Sequence, residues 1–172
     1  MNTYRMSSIG DLCKIALLAF MSMIGFELFL HAGMLAPLHS NSGSFLFPPE
    51  VTLRRIPFAY LSFAFTVAAL LWLMARLHIR NARDGFVFAL LLGLLMWGAQ
   101  TLGLFSISTA NPGLLFGRFL GQSAEMGIAG MVIGSGLGRR QLRSSLTTVT
   151  VVFLITVILA VLLQNLNSLA SS

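Results

Sequence analysis

Charge is what this chain has least of, and acidic charge above all: five Asp and Glu stand against eleven Lys and Arg in 172 residues. Charged residues make up 9% of the sequence, where a soluble domain carries about 25%. Water is therefore not the main solvent of this chain. Cysteine is almost missing too. Cys13 stands alone, which excludes an intrachain disulfide and a zinc site built from several thiolates. Near a helix start it reads as one more small apolar residue. No CxxCH, HExxH, phosphate-binding glycine-lysine loop or G-x-S-x-G is present. Gly134-Ser135-Gly136 lacks the strand-turn-helix setting that a nucleophile elbow needs. No cofactor and no metal site are expected, and an enzyme is the weakest of the functional readings. The net charge of +6 is dispersed in short runs rather than gathered on one patch, so no nucleic-acid partner is expected.

What is present is apolar length. Hydrophobic residues are 56% of the chain, and the mean hydropathy is +0.86. Five apolar segments run over about 15–35, 56–77, 85–107, 114–137 and 146–166. Each approaches or exceeds the ~20 residues that cross a hydrocarbon core as helix, and helix is the form that satisfies its own backbone in lipid. Boundary residues agree: Asp84 reads as the N-cap of the third span, and Asn111-Pro112 as a cap followed by proline in the first turn of the fourth. Pro57 falls at the start of the second, where its missing N–H does no harm. The basic start of the first segment suits a signal peptide. Glu27 and His31 interrupt its apolar run and no clear cleavage site follows, so it is read as a retained span.

Lysine and arginine set the orientation. Eight of them, Arg5, Lys14, Arg76, Arg80, Arg83, Arg139, Arg140 and Arg143, fall on one side, against Arg54, Arg55 and Arg118 on the other. The positive-inside rule then puts the N-terminus in the cytoplasm and the C-terminus outside. The long external connection, Pro37 to Arg55, reads as an interfacial linker with a short helix carrying the Glu50–Arg54 pair.

Three residues break the fourth segment. Arg118, Gln122 and Glu125 are spaced i, i+4, i+7 and share one helix face. Helix rise places Arg118 ~8 Å below the outer surface, Gln122 ~14 Å and Glu125 ~18 Å. Glu27 and His31 of the first span, Tyr60 of the second and Gln100 of the third fall in the same outer half. Ionisable groups inside a bilayer need partners or water and mark functional sites. Two readings follow. In one, Glu27, His31, Tyr60, Gln100, Arg118, Gln122 and Glu125 form an outward-facing site for a small solute, proton or cation. In the other, Arg118 neutralises Glu27 or Glu125, and the layer only fixes helix register in a structural or accessory subunit of a membrane complex. Glycine supplies the complementary pattern. Gly113, Gly117 and Gly121, then Gly130, Gly134 and Gly138, are spaced for close helix packing.

The segments Phe29-Leu30-His31-Ala32-Gly33, Gly85-Phe86 with Phe88 leading to Gly93-Leu94, and Phe119-Leu120-Gly121-Gln122-Ser123-Ala124-Glu125 carry a resemblance. Over about residues 25–138 the chain resembles a group of uncharacterised small bacterial integral membrane proteins with four helices. The resemblance implies a shared bundle and brings no activity with it. The expectation is thus an all-α polytopic transmembrane bundle of five spans in the bacterial inner membrane, forming a single domain over 1–172. Its partners are the lipid bilayer and either a second membrane protein or further copies of itself.

Overall fold

The computed structural model describes residues 8–30 and 49–138, with 149, 155, 157–159 and 161–162 beyond them; at 49, 50, 52 and 53 only the backbone is described. Among the described residues there are helices and short turns and no strand. The four full helices are α1 (Ile9–Leu28), α2 (Pro49–Arg76), α3 (Ala82–Ile107) and α4 (Pro112–Gly138). Three helices are long and apolar enough to cross a membrane: α1, the Arg54–Arg76 part of α2, and α3. At 27 residues α4 has the length, ~40 Å, but its glycines and polar residues dilute its apolar content.

Local chemistry explains the helix ends. Ser8 caps α1, accepting from the Asp11 N–H at 3.2 Å and donating its hydroxyl to the Asp11 carboxylate at 2.9 Å. The cap of α3 is Asn81, not Asp84 as the sequence suggested. Asn81 Oδ1 accepts from the Asp84 N–H at 2.8 Å, and its Nδ2 donates to the Asp84 carboxylate at 2.6 Å. Asp84 thus occupies the third helical position of a reciprocal cap, which suits its charge near the positive end of the helix dipole. Pro112 opens α4 as expected, with Asn111 Oδ1 accepting from the Gly113 N–H at 2.8 Å. Pro57 corrects another expectation. It lies inside α2, because the helix begins at Pro49 and absorbs the separate short helix expected around Glu50. A membrane helix tolerates such a proline where neighbouring groups re-satisfy the freed carbonyl.

The turn from α2 to α3 is closed by a Schellman arrangement. The Ile79 N–H bonds to Met74 O at 3.0 Å and the His78 N–H to Ala75 O at 3.4 Å. His78 takes the left-handed position, φ 57°, that glycine usually fills. Ile79 packs back on the core that contains Met74, completing the motif.

α4 is the central element. It packs most extensively on α3, then on α1, and more lightly on α2. Its buried residues run from Leu114 to Gly136 and cover most of the helix surface, leaving Phe116, Leu120 and Met131 exposed. By contrast α3 buries only Gly85, Ala89 and Gly93, one narrow i, i+4, i+8 stripe. Much of the rest of α3 is exposed hydrocarbon: Leu95 is 74% exposed and Leu102 71%. Phe58 and Phe65 of α2 are alike, at 72% and 68%. Surfaces this apolar suit lipid rather than water.

Glycine contacts fix the helix directions. A Cβ at Gly130 would strike Ala89 and the Gly85 backbone, one at Gly134 the Asn81 backbone, and one at Gly138 the Arg80 backbone. The C-terminal half of α4 therefore lies along the N-terminal half of α3, antiparallel. Gly136 also abuts Ile15, near the start of α1. Lys14, Arg76, Arg80, Arg83 and the C-terminal end of α4 are collected at one end of the bundle. The first glycine series behaves differently: Gly121 receives Leu30, two residues past the end of α1, while Gly113 meets only its own cap residue Asn111. Gly117 is half-buried.

Most of the expected fifth span, the chain from 31 to 48 and Arg139, Arg140 and Arg143 lie outside the described residues. Within 149–162, Val149 joins the core, and Ile155, Ile158, Leu159, Val161 and Leu162 are exposed.

Candidate functional site

The N-terminal part of α4, Pro112 to Glu125, separates its polar residues into two groups. Buried hydroxyls are accounted for first. Ser123 and Ser22 each donate to a carbonyl of their own helix, Phe119 O and Ala19 O, both at 2.7 Å. They need no partner from elsewhere.

Glu125 has none of this. It is 1% exposed, and its Oε1 is buried without a hydrogen bond. Glu27 of α1 places a buried carboxylate oxygen, Oε2, near enough for its charge to act on Glu125. Acidic side chains of α1 and α4 thus lie close enough to act on one another. A buried, unsatisfied carboxylate oxygen is costly unless a proton or a cation joins it. No group of three or more His, Cys, Asp or Glu suited to a metal occurs among the described residues.

The second group lies between α3 and α4. Arg118 and Gln122 meet Trp97, Gln100 and Thr101, with Leu104 and Leu115 as walls, around a half-open cleft whose enclosed part is about 20 Å³. Gln122 is 7% exposed, Arg118 is half-buried and Gln100 is exposed. The Trp97 indole N–H is buried and makes no hydrogen bond. Arg118 forms no salt bridge or hydrogen bond with another described residue.

This arrangement corrects one expectation: Arg118 does not neutralise Glu125 or Glu27 among the described residues. The reason is axial distance. Arg118 and Glu125 share a face, but seven residues of helix separate them by ~10 Å along the axis. Arg118 finds α3 at its own level, whereas Glu125 finds α1. Tyr60 continues the buried α2 stripe of Phe63, Val67, Leu70 and Met74, yet it is 42% exposed and outside the pocket. His31 lies outside the described residues.

Trp97 and Thr101 were not anticipated as site residues. The signal was present: Trp97, Gln100, Thr101 and Leu104 are spaced i, i+3, i+4, i+7, which puts an amphipathic stripe on the third span. Comparison with known proteins finds no matching family, no similar curated protein and no similar solved structure.

Proposed function

We propose that the chain is an integral membrane protein of five spans, N-terminus in and C-terminus out, whose buried Glu125–Glu27 pair binds a proton or a small cation from the outer side. The observation that carries this reading is the Glu125 carboxylate: 1% exposed, with an oxygen that no hydrogen bond satisfies. Burying such a group without function would destabilise the bundle for no return.

Membrane crossing by α4 fits its place in the bundle. A helix that turns most of its surface to other helices can carry glycine and polar residues there that a lipid-facing surface cannot. The gathering of Lys14, Arg76, Arg80 and Arg83 at one end supports that end as cytoplasmic. The resemblance to small bacterial membrane proteins is the ground for placing it in a bacterial inner membrane. A purely structural role for Glu125 would call for a charge-neutralising partner, and Arg118 makes no ion pair with it.

The test is thermal unfolding of the purified protein in nanodiscs, across pH and across sodium, potassium and choline salts at one ionic strength. Protons or one of the cations should stabilise the parent. Glu125→Gln, which keeps size and removes the charge, should fold and lose that dependence. An identical dependence in Glu125→Gln would refute the reading. Stoichiometric co-purification with a larger complex, together with that result, would favour an accessory subunit.

A further inference from the structure

We propose that the pocket between α3 and α4 binds an anionic oxygen group, a carboxylate or a phosphate, through Arg118, Trp97, Gln100, Thr101 and Gln122. The inference uses different side chains from the carboxylate pair and stands apart from it.

The lining is a set of donors. A guanidinium offers five N–H groups and no acceptor, and an indole offers one N–H and no acceptor. The two amides and the hydroxyl of Thr101 can each turn a donor inward. No carboxylate lines the pocket among the described residues. Among the described residues three of these groups have no partner: the Trp97 N–H is buried and unbonded, Gln122 is 7% exposed with no hydrogen bond, and Arg118 makes no ion pair. An anion with several acceptor oxygens would satisfy all three at once. A cation would be repelled by Arg118, and an apolar ligand would leave the indole and amide orphaned, which is unfavourable. Leu104 and Leu115 supply the apolar walls that strengthen such contacts.

Depth defines where the anion would come from. Gln100 precedes the end of α3 by seven residues and Arg118 follows the start of α4 by six, so the pocket floor lies ~10 Å below the α3–α4 connection. Both a lipid headgroup at the interface and a free oxyanion can reach that level. An arginine at this height presents its charge toward the interface while its stem stays in apolar surroundings.

The chain provides its own reporter. It has two tryptophans, Trp72 and Trp97. Trp72 is 62% exposed and stacked under Arg76 on α2, so Trp72→Phe leaves Trp97 as the sole indole. The experiment is Trp97 emission of this full-length variant in phosphatidylcholine nanodiscs, titrated with inorganic phosphate and separately with acetate, and compared with nanodiscs containing phosphatidylglycerol. A saturable change on adding either anion identifies a free solute as the ligand. A change confined to phosphatidylglycerol identifies a lipid headgroup. Arg118→Gln should weaken either response about tenfold or more, as expected for loss of a charge-assisted bond. If Arg118→Gln does not fold, Gln100→Ala at its exposed position should weaken it about threefold. No response to any of the three probes, or responses unchanged in the folded variants, would overturn the proposal. Neither result would bear on the Glu125 dependence.

Discussion

The same two helices, α3 and α4, make opposite seams at their two ends. Toward the basic end, Gly85, Gly130 and Gly134 bring backbone against backbone, and Ala89 fills what little space remains. Toward the other end, Trp97, Gln100, Arg118 and Gln122 take the corresponding positions, and the seam opens into a pocket. Side-chain volume alone accounts for the difference. Small residues let dispersion contacts close one half, while long polar side chains hold the other half apart and leave their donors unspent. One end is closed by backbone contact and the other is open. The Glu125–Glu27 pair sits beside the transition between them, on the α1 side of α4.

This contrast can be broken from the closed end. Gly130→Leu should cost about 3 kcal/mol or prevent folding, because its side chain has only Ala89 and the Gly85 backbone to enter. Gly85→Ala should cost about 1–3 kcal/mol for the same reason. Both are measured by reversible unfolding in mixed micelles. Gly103→Ala, at an exposed position with nothing within 4 Å, should instead gain about 0.5–1 kcal/mol. If Gly85→Ala and Gly103→Ala behaved alike, the closed seam would have no energetic meaning. His78→Gly should raise stability by about 0.5 kcal/mol, since glycine relieves the left-handed backbone at φ 57° but adds chain entropy. The smallest effect expected is a coupling. A double-mutant cycle of Arg118→Leu and Glu125→Leu should give an interaction within about 0.5 kcal/mol of zero, as for groups that do not touch. A coupling above about 1 kcal/mol would join the two polar groups into one ion pair and erase the distinction drawn between them.

Much of this was legible in the sequence. Helix class, four helix locations, the proline start of α4 and the interruption at Arg118, Gln122 and Glu125 all follow from apolar length and capping chemistry. What periodicity could not supply was the neighbour of each polar residue. A shared face says that Arg118 and Glu125 point the same way, but only tertiary packing says that α3 borders one and α1 the other. The cap at Asn81 was misassigned because Asn and Asp are both good capping residues and stand three apart, so spacing fits either as partner of the other. The α2 start was placed too late because Pro57 resembles a first-turn proline, a role that Pro49 takes in α2. Glycine spacing pointed to close packing without naming partners. Gly130, Gly134 and Gly138 face α3, whereas Gly121 faces α1 and Gly113 faces neither.

The central claim is that the Glu125 carboxylate exchanges its buried, unsatisfied state for a bound proton or cation. Infrared difference spectroscopy of the nanodisc protein reads it directly, by comparing the carboxyl region before and after a change of pH or of sodium for choline. The account predicts a carboxyl band that shifts with the change in the parent and is missing from the difference spectrum of Glu125→Gln. A spectrum that is the same in the parent and the variant would contradict it.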